Sequence, residues 1–142
     1  MKNRKKGFTL VELVVVVMIL GILAAIAAPK LLSMGGSATD SGLQQTLSTV
    51  RNSIEHYAAD NAGALPPCTG TGTDFQAALA PYIRGDFPAS PVGKKDANIK
   101  PVTGTGATAD GTTGWMYNTE DGTFIANTDA VSNDGVATYD TF

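Results

Sequence analysis

The sequence has little of the residue types that build catalytic and metal sites. Its 142 residues include one cysteine, Cys68, and one histidine, His56. A single cysteine excludes an internal disulfide and a multi-cysteine zinc site, and a single histidine argues against histidine-based catalysis. The sequence also has no recognisable Ser/His/Asp set, phosphate-binding loop or metal cluster. We therefore expect a protein that is not an enzyme.

Basic residues are scarce after the first thirty positions. From residue 31 to residue 142, five basic residues stand against twelve acidic ones, which gives a net charge near −7. A protein that binds nucleic acid needs a basic face to neutralise phosphates. No nucleic-acid partner is therefore expected.

The single histidine, His56, is expected on the surface of a helix.

The apolar residues are concentrated near the N-terminus. In the 21 residues 8–28, only Thr9, Glu12 and Gly21 lack an apolar side chain. As a helix, this run would rise about 31 Å, close to the ~30 Å thickness of a bilayer's hydrocarbon core. A basic stretch at 2–6 precedes it and should stay in the cytoplasm. We predict a membrane helix over 8–29, with residues 30–142 exported as one small domain.

Other leader types fit parts of this segment. An ordinary secretory signal would be cleaved after a small-x-small pattern, and Ala25-Ile26-Ala27 fits that pattern. A plain signal anchor has no use for Glu12. A charged side chain costs about 2.5–3.5 kcal/mol at the centre of a membrane helix, so such a residue usually has a partner and a function.

The residues around Glu12 carry a resemblance to a known family. The run 6–13, Lys-Gly-Phe-Thr-Leu-Val-Glu-Leu, resembles the prepilin peptidase recognition motif of the type IV pilin superfamily, which includes the pseudopilins of type II secretion. The resemblance implies removal of a leader, residues 1–7, by cleavage between Gly7 and Phe8, followed by N-methylation of Phe8. It also implies a helix kink at Pro29 and a role for Glu12 in assembly. There the Glu12 carboxylate would pair with the Phe8 amine of a neighbouring subunit.

The exported part predicts an α+β fold. Leu43, Leu47, Val50, Ile54 and Tyr57 form one face of a helix that extends to about residue 61. A short helix should begin at Thr73, where Thr73 and Gln76 have capping-box spacing. An edge strand is expected at 98–102, a flexible loop at 103–114 and a hairpin of strands 114–118 and 123–127. We predict a long N-terminal helix packed on a small antiparallel sheet, as in pilins.

The C-terminal tail raises the question of calcium. The resemblance to major pseudopilins implies a calcium site in the C-terminal loop, and Asp129, Asn133 and Asp134 are the candidate ligands. Oxygen ligands on a loop are what calcium requires. The alternative is an acidic, solvated tail without a cofactor.

The resemblance implies a structural subunit of a type II secretion pseudopilus, a filament that supports protein secretion. A subunit of a type IV or competence pilus is the alternative, because the short length and the lack of a C-terminal cysteine pair favour the pseudopilus. Implied partners are copies of itself, other pseudopilins, the prepilin peptidase and methyltransferase, and an inner-membrane assembly platform. The implied location is the bacterial inner membrane, with the N-terminus in the cytoplasm, and then the filament. A tip-located binding subunit and a signal-cleaved secreted enzyme are further alternatives.

The mature chain should begin at methylated Phe8. Intact mass spectrometry of the membrane-extracted protein should give the mass of residues 8–142 plus one methyl group. Gly7→Ala should slow this cleavage and Gly7→Leu should stop it, because the peptidase needs close access to the backbone at Gly7. An N-terminus at Ala28 would instead indicate ordinary signal peptidase processing.

Overall fold

The computed structural model describes residues 7–142, so the predicted leader lies outside the described residues except for Gly7. The elements in chain order are helix α1 (Leu10–Asp60), helix α2 (Thr73–Leu79), strands β1 (Ile99–Val102), β2 (Trp115–Asn118) and β3 (Phe124–Ala126), and a 3-10 turn (Tyr139–Thr141). The chain forms two compact units, one ending at Gly35 and the other covering Gly36–Phe142. The α+β class is confirmed.

The first unit is the apolar part of α1. In the described part of the chain, α1 is the one helix long and apolar enough to cross a membrane. None of the side chains in its most apolar stretch is buried. Pro29 lies inside the helix. The kink expected there stays a prediction.

The second unit is built on the apolar stripe of α1. Leu43, Leu47, Val50 and Ile54 are almost completely buried, and Tyr57 packs beside them. Their spacing places them on one side of a 3.6-residue helix, so most polar residues between them lie on the outer side, although Ser53 is also buried. His56 is exposed. The predicted stripe and the predicted surface histidine are both confirmed.

An aromatic cluster forms the other half of this core. Phe75 of α2 lies with its ring centroid 4.4 Å from Tyr117 and stacks on Phe124 at 5.9 Å. Trp115 and Phe124 are 5.2 Å apart, also measured between ring centroids. Trp115 and Tyr117 share a face of β2 because side chains alternate along a strand. Both join the hydrophobic cluster of the α1 stripe.

The sheet has the order β1-β2-β3 and is mixed. Strands β2 and β3 form the predicted antiparallel hairpin, in which Gly122 has a φ of 78° that favours glycine. Strand β1 is at the edge, as expected from Pro101, but it pairs with β2 in parallel. The all-antiparallel expectation is therefore wrong for this pair. The connection 103–114 is long enough to return the chain to the same end of the sheet, which a parallel pair requires.

Helix α2 begins at the predicted residue but without the predicted cap. Gly72 is the N-cap, and it makes no side-chain capping hydrogen bond. The side-chain amide of Gln76 instead donates to the carbonyl oxygen of Ala97 at 2.7 Å. The predicted capping box is therefore wrong, because the Gln76 side chain bonds to the segment before β1 and not to the start of α2.

Two buried asparagines hold the connection 103–114, which has no helix or strand. Asn118 donates to the carbonyl oxygen of Gly104 at 2.7 Å. The side-chain oxygen of Asn127 accepts the main-chain N–H of Asp110 at 2.8 Å, and its side-chain NH2 group donates to the side chains of Asp110 and Thr113 at 2.9 Å. Buried polar side chains need such partners. The loop is thus anchored at both ends, a feature that its Gly- and Thr-rich sequence did not indicate.

Arg51 links α1 to two distant parts of the chain. Its guanidinium donates to the carbonyl oxygen of Phe124 at 2.9 and 3.0 Å and to the main-chain oxygen of Phe142 at 2.7 Å. Partial burial lowers the pKa of Arg51 from its ordinary value, though the group remains charged. The guanidinium reaches both oxygens at once, since Nη2 donates to each and Nε adds a second bond to Phe124.

Arg51→Leu should destabilise the globular unit by about 1–3 kcal/mol, because it leaves the Phe124 carbonyl without its donor. Urea unfolding followed by Trp115 fluorescence measures the change. Glu55→Gln, one helical turn away on an exposed position, is the matched control and should change the free energy of unfolding by less than about 0.5 kcal/mol. Equal effects of the two variants would contradict the role given to Arg51.

Candidate assembly site at the N-terminus

Thr9 and Glu12 form a reciprocal cap at the start of α1. The Glu12 main-chain N–H donates to the Thr9 hydroxyl oxygen at 3.2 Å. In return, the Glu12 carboxylate accepts the main-chain N–H of Thr9 at 3.0 Å and its hydroxyl at 2.9 Å. This is the geometry of a capping box, which satisfies donors that the first helical turn leaves free. Within one chain, Glu12 is therefore bonded to Thr9. The sequence-based expectations did not include this pair, although its Thr-x-x-Glu spacing is typical of a capping box.

Gly7 and Phe8 precede this cap and are exposed. Phe8 has 82% of its surface exposed. A Cβ added to Gly7 would meet nothing within 4 Å in the described part of the chain. The fold around Gly7 therefore sets no requirement for glycine, and a requirement would come from an outside partner such as a peptidase.

Beyond the cap, α1 presents large apolar side chains on every side. From Leu10 to Met34, its Leu, Ile, Val and Met side chains described by the structure are 42 to 78% exposed. Burying one such side chain contributes about 1.5–3 kcal/mol. A helix that is apolar all round is buried in a protein core or in a membrane. The exposed apolar side chains and the length of the apolar stretch together indicate a helix whose partners are lipids or neighbouring apolar helices.

Two of the three candidate calcium ligands, Asn133 and Asp134, bond to different partners. Asn133 turns its amide nitrogen toward Asp40 of α1, at 2.7 Å. The Asp134 carboxylate bends back onto its own turn, where it accepts the main-chain N–H of Val136 at 3.0 Å and the Ser132 hydroxyl. Those bonds lower the pKa of Asp134, the Ser132 hydroxyl having the larger effect. Among the residues described, no three His, Cys, Asp or Glu side chains are grouped as a metal site would need. Calcium binding stays a prediction.

Cys68 belongs to the core and not to a reactive site. Its side chain is 7% exposed and lies in the main hydrophobic cluster. Burial, and secondarily the Asp74 carboxylate, raises the pKa of the Cys68 thiol to about 12. The thiolate, which is the nucleophilic form, is therefore rare at neutral pH. Pairing of Cys68 with another chain would require this part of the core to open.

Comparison with known proteins supports the family resemblance. Residues 2–28 match the family described as the prokaryotic N-terminal methylation motif. The chain is 38% identical over 65 residues to the type IV narrow pilus major component PilA5 of Thermus thermophilus, which covers 46% of this chain and 55% of that protein. It is 37% identical over 60 residues to the type II secretion system core protein G of Aeromonas hydrophila, covering 42% of each chain.

A third relative extends the similarity beyond the N-terminal helix. The type IV major fimbrial protein FimA of Dichelobacter nodosus is 44% identical over 100 residues, which is 70% of this chain and 64% of that protein. Across these three relatives, the chain spans roughly half of their own length. No solved structure matches the chain.

Cys68 should be almost inert in the folded protein. At pH 8 in detergent, a thiol reagent such as dithiobisnitrobenzoate should react at least about a hundredfold more slowly with the folded chain than with the urea-unfolded chain, since folding raises the thiol pKa from about 8.5. Release of the coloured thiolate measures both rates. Similar rates in the two states would contradict the burial of Cys68.

Proposed function

Since the chain carries the prepilin-type methylation motif and is related to type IV pilins and to type II secretion core protein G, we propose that it is a structural subunit of a type II secretion pseudopilus. It is made as an inner-membrane precursor, cleaved after Gly7 and methylated on Phe8. The mature subunits then polymerise into a filament that supports protein secretion. It is not an enzyme.

The observation that carries this proposal is the continuity of the motif with the exposed helix. The matched residues 2–28 include most of the α1 segment whose apolar side chains are uncovered. In the membrane, lipid covers them. In a filament, the same side chains of neighbouring subunits cover one another, so a subunit can leave the bilayer without exposing them to water. One helix thereby serves both the precursor and the polymer.

Glu12 is the residue that gives this packing its register. Apolar helices can slide past one another at little cost, because their side chains make similar contacts in several registers. A carboxylate buried among them is costly without a cation. Cleavage creates an amine at Phe8, and the described helix from 10 to 29 carries no basic residue that could take its place. The register in which a neighbouring subunit brings its Phe8 amine to Glu12 is thus preferred over any other.

The partners follow from this route. The peptidase and methyltransferase act on Gly7 and Phe8 at the cytoplasmic face, an inner-membrane platform receives the cleaved subunit, and other pseudopilins share the filament. The exported unit, with a net charge near −7, forms the outside of the filament. Its apolar stripe and aromatic cluster form a core that lies wholly within Gly36–Phe142.

A type IV pilus is the second candidate, and specific relatives favour it. PilA5 and FimA are pilus components by name, and the FimA alignment extends over 70% of this chain. Against it stands the single, buried cysteine, which leaves these 142 residues without the C-terminal cysteine pair common in type IV pilins. Deletion of the gene decides between the two. Loss of proteins from the culture medium with surface pili intact supports the pseudopilus, and loss of surface pili with secretion intact supports the pilus.

Glu12→Gln should leave membrane insertion and cleavage intact but strongly reduce filament assembly. Glutamine can still form a capping box with Thr9, so the helix start is preserved while the charge is lost. Glu12→Ala removes both and should be as defective as Glu12→Gln. Sheared filament yield and precursor processing, measured by immunoblot, are the readouts. If Glu12→Gln assembles normally and only Glu12→Ala fails, Glu12 acts as a helix cap and not as a charge partner.

A further inference from the structure

The C-terminal tail, residues 128–142, is attached to α1 through a buried carboxylate. Asp40 has 9% of its surface exposed. Its oxygens accept the main-chain N–H of Asn133 at 3.1 Å, the side-chain amide of Asn133 at 2.7 Å and the hydroxyl of Tyr139 at 2.9 Å. The Asn133 amide nitrogen also lies 3.2 Å from the carbonyl oxygen of Gly36. All of these residues belong to the second compact unit.

The groups around Asp40 have the wrong polarity for a cation. Calcium needs several oxygen lone pairs directed at one point. Here two N–H groups and one O–H group direct their positive ends at the carboxylate and occupy its lone pairs. Burial and the bond to Asp40 raise the pKa of Tyr139, which keeps its hydroxyl protonated and able to donate. Hydrogen bonds to an ionised acceptor are the strong ones, so they can offset the burial of a charge.

We propose that Asp40, Asn133 and Tyr139 form a metal-free clasp that fastens the tail to α1, in the loop where the resemblance to major pseudopilins implies calcium. The tail is suited to such an attachment because it closes on itself first. Val131 and Thr138 form an isolated antiparallel bridge, and the main-chain N–H of Tyr139 donates to the carbonyl oxygen of Ala130 at 3.1 Å. Asn133 and Tyr139 are therefore held as one unit that needs a single anchor.

Gly36 supports the clasp by its lack of a side chain. A Cβ added at Gly36 would lie 2.7 Å from the Cβ of Asn133, which is closer than real side chains approach, whereas one added at Gly35 would meet nothing within 4 Å. The two adjacent glycines thus differ in what an added Cβ would meet, which is the tail at Gly36 and nothing within 4 Å at Gly35. In a helix, alanine is otherwise the better residue at both positions.

The first experiment measures thermal unfolding of the full chain in detergent, by Trp115 fluorescence, with millimolar calcium and then with EDTA. The clasp predicts equal midpoints for the unsubstituted protein. Asp40→Asn and Asn133→Ala should each lower the midpoint by on the order of 5 °C or more. Asp129→Asn and Asp134→Asn should leave it within about 2 °C, since neither side chain reaches Asp40. Tyr139→Phe keeps the ring that packs on Phe142 and provides a milder variant should Asp40→Asn fail to fold.

The second experiment compares Gly36→Ala with Gly35→Ala. Gly36→Ala should lower the midpoint and speed hydrogen exchange of amides in 131–139, while Gly35→Ala should do neither. A midpoint that calcium raises and EDTA lowers would overturn the proposal in favour of a calcium-fastened tail. Equal behaviour of Asn133→Ala and Asp134→Asn, or of the two glycine variants, would overturn it in favour of a tail that is merely solvated.

Discussion

Contact between the apolar stripe of α1 and the aromatic face of the sheet is the interaction on which the globular unit depends. Leu43, Leu47, Val50 and Ile54 have almost no exposed surface, and Trp115, Tyr117 and Phe124 complete the same cluster. The sheet has three short strands, too few to be stable without a partner surface. The helix supplies that surface through the hydrophobic cluster that its stripe shares with the sheet.

Hydrogen bonds from polar side chains hold the irregular segments in place. Asn118 and Asn127 are fully buried and hold the connection between β1 and β2. Arg51 reaches the oxygens of Phe124 and Phe142, and Asp40 receives Asn133 and Tyr139. Each of these side chains makes a hydrogen bond that water would otherwise make to a buried main-chain or side-chain group. Buried polar atoms require such a partner. A chain rich in Gly, Thr and Asp is thus ordered without disulfides.

The apolar part of α1 follows a different rule. There the backbone is satisfied within the helix, as a lipid environment requires, and side-chain contacts must come from outside the chain. Glu12 and Thr9 are the exception, since they satisfy each other at the helix start. In the proposed filament, this local pairing competes with the amine of a neighbouring Phe8. The charge of that amine is what a neutral threonine hydroxyl cannot provide.

The sequence by itself determined the features that depend on nearby residues. The apolar run, the Gly-Phe-Thr-Leu-Val-Glu motif, the stripe at 43–57 and the hairpin with Gly122 each involve positions only a few residues apart, so periodicity and turn chemistry reveal them. The tertiary structure decided the parallel pairing of β1 and the hydrogen-bond partner of the Gln76 side chain. It also decided the partners of Arg51, Asp40 and Asn127. Arg51 and Asp40 bond to residues 73 to 99 positions away. Such partners are fixed by which surfaces pack together, and residue spacing along the chain contains no record of that.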